Sequence, residues 1–231
     1  MSQLISSIPP IKIVYFAYLI PNVWKPIIEE QLTALANTNL YDLAEEIFIT
    51  VNIVQTEDLV QLIELLKERW PKVKLGYVSY RNDYEYLGIF HLHVLSQEYS
   101  RDCILLYFHS KGMTSNLPKI RQNLFKYTIE NYQEYVNAFS TNPELDIAGA
   151  VPHKDGFIFF NFFWIRSNYI RKYCPWPNPT SNRFIWEVWF GGEYSTKKRN
   201  HIKTWSPLIG WDQIEYKHGQ PWCSLFDLLN G

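Results

Sequence analysis

The chain has 231 residues, with 22 Lys plus Arg against 23 Asp plus Glu and a formal net charge of -1. That length buries one sizeable core, so one domain over 1–231 is expected. So balanced a charge gives no overall field for a phosphate backbone, and no nucleic-acid partner is expected.

Charged residues make up 19% of the chain and aromatic ones 17%, including 9 Trp and 16 Tyr, many of them in polar-flanked segments. This suits partly exposed flat surfaces that stack on sugar rings or bases, or equally an aromatic-rich core. Cys103, Cys174 and Cys223 lie far apart without a CxxC pair. Neither a zinc knuckle nor a disulfide framework is suggested, and a reducing, cytoplasmic setting is expected. The opening stretch is apolar but interrupted by Pro9, Pro10 and Lys12, with no basic leader. It is too short to span a bilayer, so any membrane contact would be peripheral.

In chain order, residues 12–20 (KIVYFAYLI) are β-branched and aromatic, the pattern of a strand covered on both faces. From Trp24, apolar residues at Ile27, Ile28, Leu32 and Leu35 predict a helix ending near Asn37 to Asn39. Residues 45–53 alternate as a second strand, and Thr56 offers an N-cap to a helix whose first turn carries Glu57 and Asp58 and which stops at Pro71. Residues 72–80 make a third strand before the turn Arg81-Asn82-Asp83, and a helix from about Tyr84 to Tyr99 follows. The run 103–108 (CILLYF) is a fourth buried strand that breaks into HSKGMTSN. Pro118 opens a long amphipathic helix with Ile120, Leu124, Tyr127, Asn131 and Tyr135 on one stripe, and 145–151 is a fifth strand. Beyond Pro152 the chain turns irregular and aromatic, with a short strand pair near 156–164 and a helix near 181–190.

Alternating strands and helices imply right-handed crossovers and a Rossmann-like, mainly parallel α/β sheet with helices on both faces. Ligands of such sheets bind outside the carboxyl ends of the strands. The search narrows to the loops after the first, third and fourth strands and to the last third.

After the fourth strand, His109-Ser110-Lys111-Gly112 brings together an imidazole, a hydroxyl, an ammonium and a glycine. A diphosphate would fit: Lys111 offsets charge, Gly112 admits close backbone N–H groups, and His109 binds a divalent ion or donates a hydrogen bond. An ordinary βα turn with a solvated lysine accounts for the same residues, and no GxGxxG or Walker-type loop is present. After the third strand, Asp83 and Glu85 either favour the helix dipole or anchor a hard cation that keeps water and phosphate ligands. Tyr84 or Tyr86 would pack on a base or ribose. In the last third, Asn161 is one amide within an aromatic strand, and Arg183 and Glu187 are four apart on a helix. They are either a plain ion pair or a site in which Glu187 takes a proton from an acceptor hydroxyl in an aromatic-walled cleft. Asp155 is the second candidate base, and His153, Asp212 and His218 are further loop candidates.

Taken together, Tyr84-Glu85-Tyr86-x-Gly88, Tyr107-Phe108-His109-Ser110-Lys111-Gly112, Asn161-x-x-Trp164 and Arg183-x-x-x-Glu187-x-Trp189 resemble a family of small viral and bacterial GT-A-like glycosyltransferases. Its members act in polysaccharide and glycan synthesis and include a chlorella-virus domain that binds a UDP-sugar. The resemblance spans about residues 10–190, and YFHSKG is its most specific piece. It implies sugar transfer from a nucleotide sugar to a glycan acceptor with a divalent cation, Mn or Mg. The nucleotide part would cover about 10–115 and the acceptor side about 145–231. Carried over, it places Tyr84, Glu85, His109 and Lys111, with Ser110 and Gly112 of the same turn, near the donor. Asn161, Trp164, Arg183, Glu187 and Trp189 fall on the acceptor side.

The chain departs from that family in three places. HSK stands where most GT-A enzymes carry Asp-x-Asp, leaving Asp83, Glu85, His109 or phosphate to hold a metal. Leu87 replaces a proline before Gly88. Phe160 replaces a glycine before Asn161, which narrows the room for a sugar. Two other readings share the plan: a non-catalytic sugar- or nucleotide-binding domain, and a nucleotidyltransferase, whose glycine-rich N-terminal loop is missing here.

Overall fold

A computed structural model describes residues 8–98, 101–111, 113 and 118–208. Among the described residues, seven strands form one sheet: β1 (Ile11–Leu19), β2 (Glu46–Ile53), β3 (Val73–Ser79), β4 (Ile104–His109), β5 (Ile147–Gly149), β6 (Phe163–Arg166) and β7 (Thr204–Trp205), in the order β3-β2-β1-β4-β6-β5-β7. β1 lies between β2 and β4, parallel to both, and β3 is parallel to β2. β6 runs against its neighbours β4 and β5, and β7 is parallel to β5.

The continuous apolar run of β1 follows from cover on both faces. Ile11, Ile13, Tyr15, Ala17 and Leu19 point to one side, where α1 (Trp24–Ala36), α2 (Asn39–Leu43), α3 (Thr56–Arg69), α5 (Pro118–Phe125) and α6 (Tyr132–Thr141) pack. Val14 and Phe16 point to the other, under α4 (Tyr86–Glu98), α7 (Ser167–Tyr173) and α8 (Phe184–Val188). Lys12, the polar break in this strand, is buried, and its ammonium is paired with Glu46 on β2 as a buried charge requires.

Three expectations need correction. Thr56 does not cap α3: Gln55 is the cap residue, with no side-chain bond, and the Thr56 hydroxyl pairs with Tyr80 Oη at 2.6 Å. The long helix from Pro118 is not continuous. It widens into a π turn at Lys126–Glu130, and side chains from outside that turn take two of its carbonyls: Tyr135 Oη donates to Tyr127 O at 3.0 Å and Trp164 Nε1 to Thr128 O at 2.9 Å. The strand pair near 156–164 is only a single antiparallel bridge, Pro152 to Ile158, and the real strand begins at Phe163.

Candidate functional site

The parallel strands β1, β2 and β4 end at one edge, and three segments converge there. The first is the turn after β4. Ser110 N donates to Phe16 O at 2.9 Å, and Tyr18 N donates to Ser110 Oγ at 3.3 Å, so the turn stays stitched to β1. Gln31 Nε2 on α1 donates to His109 O at 3.2 Å and is itself fixed by Tyr15 Oη at 2.7 Å. Arg121 Nη1 on α5 donates to Lys111 O at 3.1 Å while its Nη2 pairs with Glu30 at 2.7 Å. Ser110, Gln31 and Arg121 thus set the backbone, leaving the His109 and Lys111 side chains for other work. Gly112 lies outside the described residues.

The second segment is the loop from β3 to α4. Asn82 Oδ1 accepts from Tyr84 N at 3.2 Å, the short turn that an Asn side chain favours, and Asn52 Nδ2 at the end of β2 donates to Tyr84 O at 3.1 Å. Tyr84 itself takes the left-handed conformation, φ 54°. The next residue, Glu85, thereby faces the end of β4: its Oε2 accepts from Tyr107 Oη at 3.2 Å and from Asn161 Nδ2 at 2.8 Å. Gly88 makes this approach feasible, since a Cβ there would sit 2.6 Å from Tyr107 Oη.

The third segment is the turn before β6. Phe160 and Asn161 are both left-handed, φ 66° and 52°. Such a pair is strained for residues with side chains. It aims the Phe160 carbonyl at His109 Nε2 (3.0 Å), brings the Phe160 ring to 5.2 Å from Lys111 Nζ, and buries the Asn161 amide against Glu85.

The His109 tautomer follows from its partners. A carbonyl only accepts, so Nε2 carries the proton, and the lone pair of Nδ1 lies 3.9 Å from Glu85 Oε1. Burial, then the Lys111 charge, pushes the His109 pKa down to about 3, so this contact is not an ion pair at neutral pH. Burial raises Glu85 to about 7 against the opposing effect of Asn161, Lys111 and Tyr107. Glu187 on α8 is raised too, by burial and then by the Glu85 charge, with Lys111, His109 and Arg183 pulling it down. The site therefore holds two carboxyls of raised pKa, a neutral imidazole and a lysine.

Glu85, His109 and Asn161 are thus brought together, the charges of Lys111 and Glu187 act on Glu85 and His109, and Ser110 fixes the turn to β1. Tyr84, which precedes Glu85, is 40% exposed. Asp83 does not join Glu85 and His109: it is bound to Arg81 at 2.8 Å, and among the described residues no three His, Cys, Asp or Glu side chains form a metal-holding group. Trp164 is a core residue, fully buried and stacked on Tyr135, so it lines no cleft. Trp189 is mostly buried, donating to His93 Nε2 at 3.3 Å and stacking on Tyr194. The Arg183–Glu187 ion pair is absent among the described residues, and Arg183 stacks on Phe184 at 4.7 Å instead. Asp155 belongs to another group, with His153 at 3.6 Å and Arg199 at 3.5 Å. Asp212 and His218 lie outside the described residues.

Sequence reasoning missed what Tyr107, Asn52, Gln31 and Arg121 do. Their signal was a polar atom inside an apolar run or stripe, which requires a partner. All four partners prove to be in the segments that build this site.

No family model matches the chain, and no curated protein matches it. Among solved structures, S. aureus TarS 1-349 is similar with a TM-score of 0.50 and 11% identity, over 86% of this chain and 58% of that one. The mannosyltransferase PcManGT from Pyrobaculum calidifontis, in complex with GDP-Man and Mn2+, has a TM-score of 0.46 and 10% identity, over 71% of this chain and 46% of that one. A 4-diphosphocytidyl-2C-methyl-D-erythritol synthase has a TM-score of 0.45 and 9% identity, over 71% of this chain and 78% of that one. The chain has a GT-A-like α/β fold, and at such identities the likeness shows the fold alone. No helix of the described residues is long and apolar enough to cross a membrane.

Proposed function

We propose that the chain is a glycosyltransferase that moves a sugar from a nucleotide-diphosphate sugar to a hydroxyl acceptor, a glycan or another alcohol. One observation carries this reading: Glu85 and His109 face each other 3.9 Å apart at the carboxyl end of β4, where a sheet of this kind binds ligands, and the charges of Lys111 and Glu187 act on that pair. The YFHSKG resemblance supports the same reading, with a UDP-sugar as donor and polysaccharide synthesis as setting.

The Lys111 ammonium neutralises the diphosphate as charge develops on the leaving group. The Tyr84 ring packs on the base or ribose. Glu187, its pKa raised toward that of the proton it must take, is the base for the acceptor hydroxyl, a better-placed one than Asp155 with its own His153 and Arg199 partners. Tyr107 and Asn161 hold Glu85 in place, and Phe160 O holds the His109 ring.

Glu85 Oε1 and His109 Nδ1 are two acceptors facing each other, which fits a divalent cation, Mn or Mg, that takes its remaining ligands from phosphate and water. Such a cation would add charge neutralisation at the diphosphate. A thermal-shift screen against nucleoside diphosphates and nucleotide sugars, with and without Mn2+, tests the reading. Saturation at 100 Kd adds about 2.7 kcal/mol to stability. A shift with one nucleotide sugar that Lys111→Ala abolishes is expected; no shift with any nucleotide contradicts the proposal.

A further inference from the structure

A cavity of about 360 Å³ lies at the sheet edge opposite His109, where β4, β5 and β7 begin and the antiparallel β6 ends. Asp102 lines it just before β4, Asp146 before β5, Lys203 before β7 and Arg166 at the end of β6, with Lys172 on α7 and Lys197 beside them. A volume of this order suits a small ligand. Sheets of this kind place their main ligand at the carboxyl ends of the parallel strands, so this cavity lies away from the transfer chemistry.

Its charges divide into those already matched and those left over. Arg166 and Asp146 are only 8% and 6% exposed. Asp102 accepts from Arg166 Nη1 at 2.9 Å, from Ser167 Oγ at 3.1 Å and from Asn168 N at 3.0 Å. Asp146 Oδ2 accepts from Lys197 Nζ, and from Lys203 N at 2.8 Å. Both carboxylates are thus matched by a cation, as burial requires. Lys172 and Lys203 also line the cavity, yet among the described residues their ammoniums pair with no carboxylate, and Glu144 is the one lining carboxylate without a cation. Two unmatched cations face one unmatched anion, and His201 adds no negative charge. The segment 197–203 (KKRNHIK), which supplies Lys197, His201 and Lys203, carries four cations and no carboxylate. Asp146 holds this segment in place from both sides, since its own N donates to Lys203 O at 3.0 Å. Cations fixed in advance around a concave wall concentrate a positive field and lose little entropy when an anion arrives.

We propose that this cavity is a second binding site, one for a phosphate-bearing anion held between Lys172 and Lys203. Lysine ammoniums act as point charges on phosphate and need no fixed bidentate geometry. The anion is either a free phosphorylated small molecule or a phosphate group on a polymer. The inference does not rest on the transferase reading, because no residue of the cavity belongs to the segments that meet at the end of β4.

The test is calorimetric titration with inorganic pyrophosphate in a Lys111→Ala background, which removes the lysine at the end of β4 from the measurement. Binding is expected, weakened by added salt and weakened by on the order of tenfold in Lys172→Ala and in Lys203→Ala. Glu144→Gln should tighten it, because the unmatched carboxylate repels the ligand. Lys198→Ala removes a lysine of the same segment that does not line the cavity, and it should bind as its parent does. Unchanged melting of these variants without pyrophosphate shows that folding is intact. Linear polyphosphate separates the two sources: affinity that rises with chain length assigns a polymer, and affinity no better than that of pyrophosphate assigns a free small molecule. No binding in the Lys111→Ala background, equal losses in Lys198→Ala and Lys203→Ala, or binding of spermidine in place of pyrophosphate would overturn the site.

Discussion

Replacing Gly88 with alanine separates two physical effects of opposite sign. In an open helix, Gly→Ala stabilises by about 1 kcal/mol, because alanine has less backbone freedom to lose. Gly88 lies inside α4, but there a Cβ would meet Tyr107 Oη at 2.6 Å, Tyr107 Cε2 at 2.8 Å and Phe16 Cβ at 2.9 Å. Tyr107 is fully buried and Phe16 nearly so, which leaves little room to yield. Overpacking of this kind costs about 1–3 kcal/mol. Shifting Tyr107 also weakens its hydrogen bond to Glu85, and bonds to charged groups contribute about 1.5–3 kcal/mol. Crowding therefore wins, and Gly88→Ala should lose about 2 kcal/mol net. For a chain of this size that lowers Tm by about 4–8 °C, which calorimetry or urea unfolding resolves. A variant stabilised by about 1 kcal/mol would refute the argument, because it would mean that Tyr107 does not reach past Gly88 to Glu85.

Phe160→Gly should be more stable than Phe160→Ala by about 1 kcal/mol, the reverse of the usual order, because position 160 is left-handed; equal stability in urea unfolding would remove the strain. His91 and His93 are buried and held to pKa values of about 4, below the ordinary 6.5, chiefly by burial. Their neutral forms are favoured by folding, so this contribution is complete above pH 6.5 and is lost as pH falls, about 3 kcal/mol each by pH 4. Stability measured from pH 7 to pH 4 should drop steeply, and His93→Gln should flatten the profile; a flat wild-type profile contradicts the burial of both rings. Glu187→Gln should reduce sugar transfer by about 100-fold or more while leaving the nucleotide-induced thermal shift in place, and loss of both together would make Glu187 a donor ligand rather than the base.

Much of the sheet was legible because burial on both faces writes long apolar runs into β1 and β4, with helical spacing between strands. The mainly parallel pairing was legible as well, but the antiparallel insertion of one strand was not. β6 looks like any aromatic strand, and only the structure shows it running antiparallel between β4 and β5. The same density of aromatics hid the difference between Trp164, which packs on one face of the sheet and donates to Thr128 O, and Trp186, which is buried with Tyr86 against it on the other. The meeting of Glu85 with His109 was foreshadowed by their places at strand ends. Asn161 was placed with the acceptor, yet its amide holds Glu85, a contact across 76 residues that no local pattern encodes. Phe160 illustrates the opposite case: the glycine expected before Asn161 corresponds to a backbone conformation that the chain still adopts, with a phenyl ring in place of hydrogen.

The central claim is tested most directly by incubating the protein with single nucleotide sugars, without acceptor, and measuring nucleoside diphosphate release over time. The account predicts slow hydrolysis of one donor, reduced by on the order of 100-fold in Lys111→Ala. If no nucleotide sugar is hydrolysed, or if Lys111→Ala hydrolyses it as fast as the wild type, the chemistry assigned to the end of β4 is contradicted.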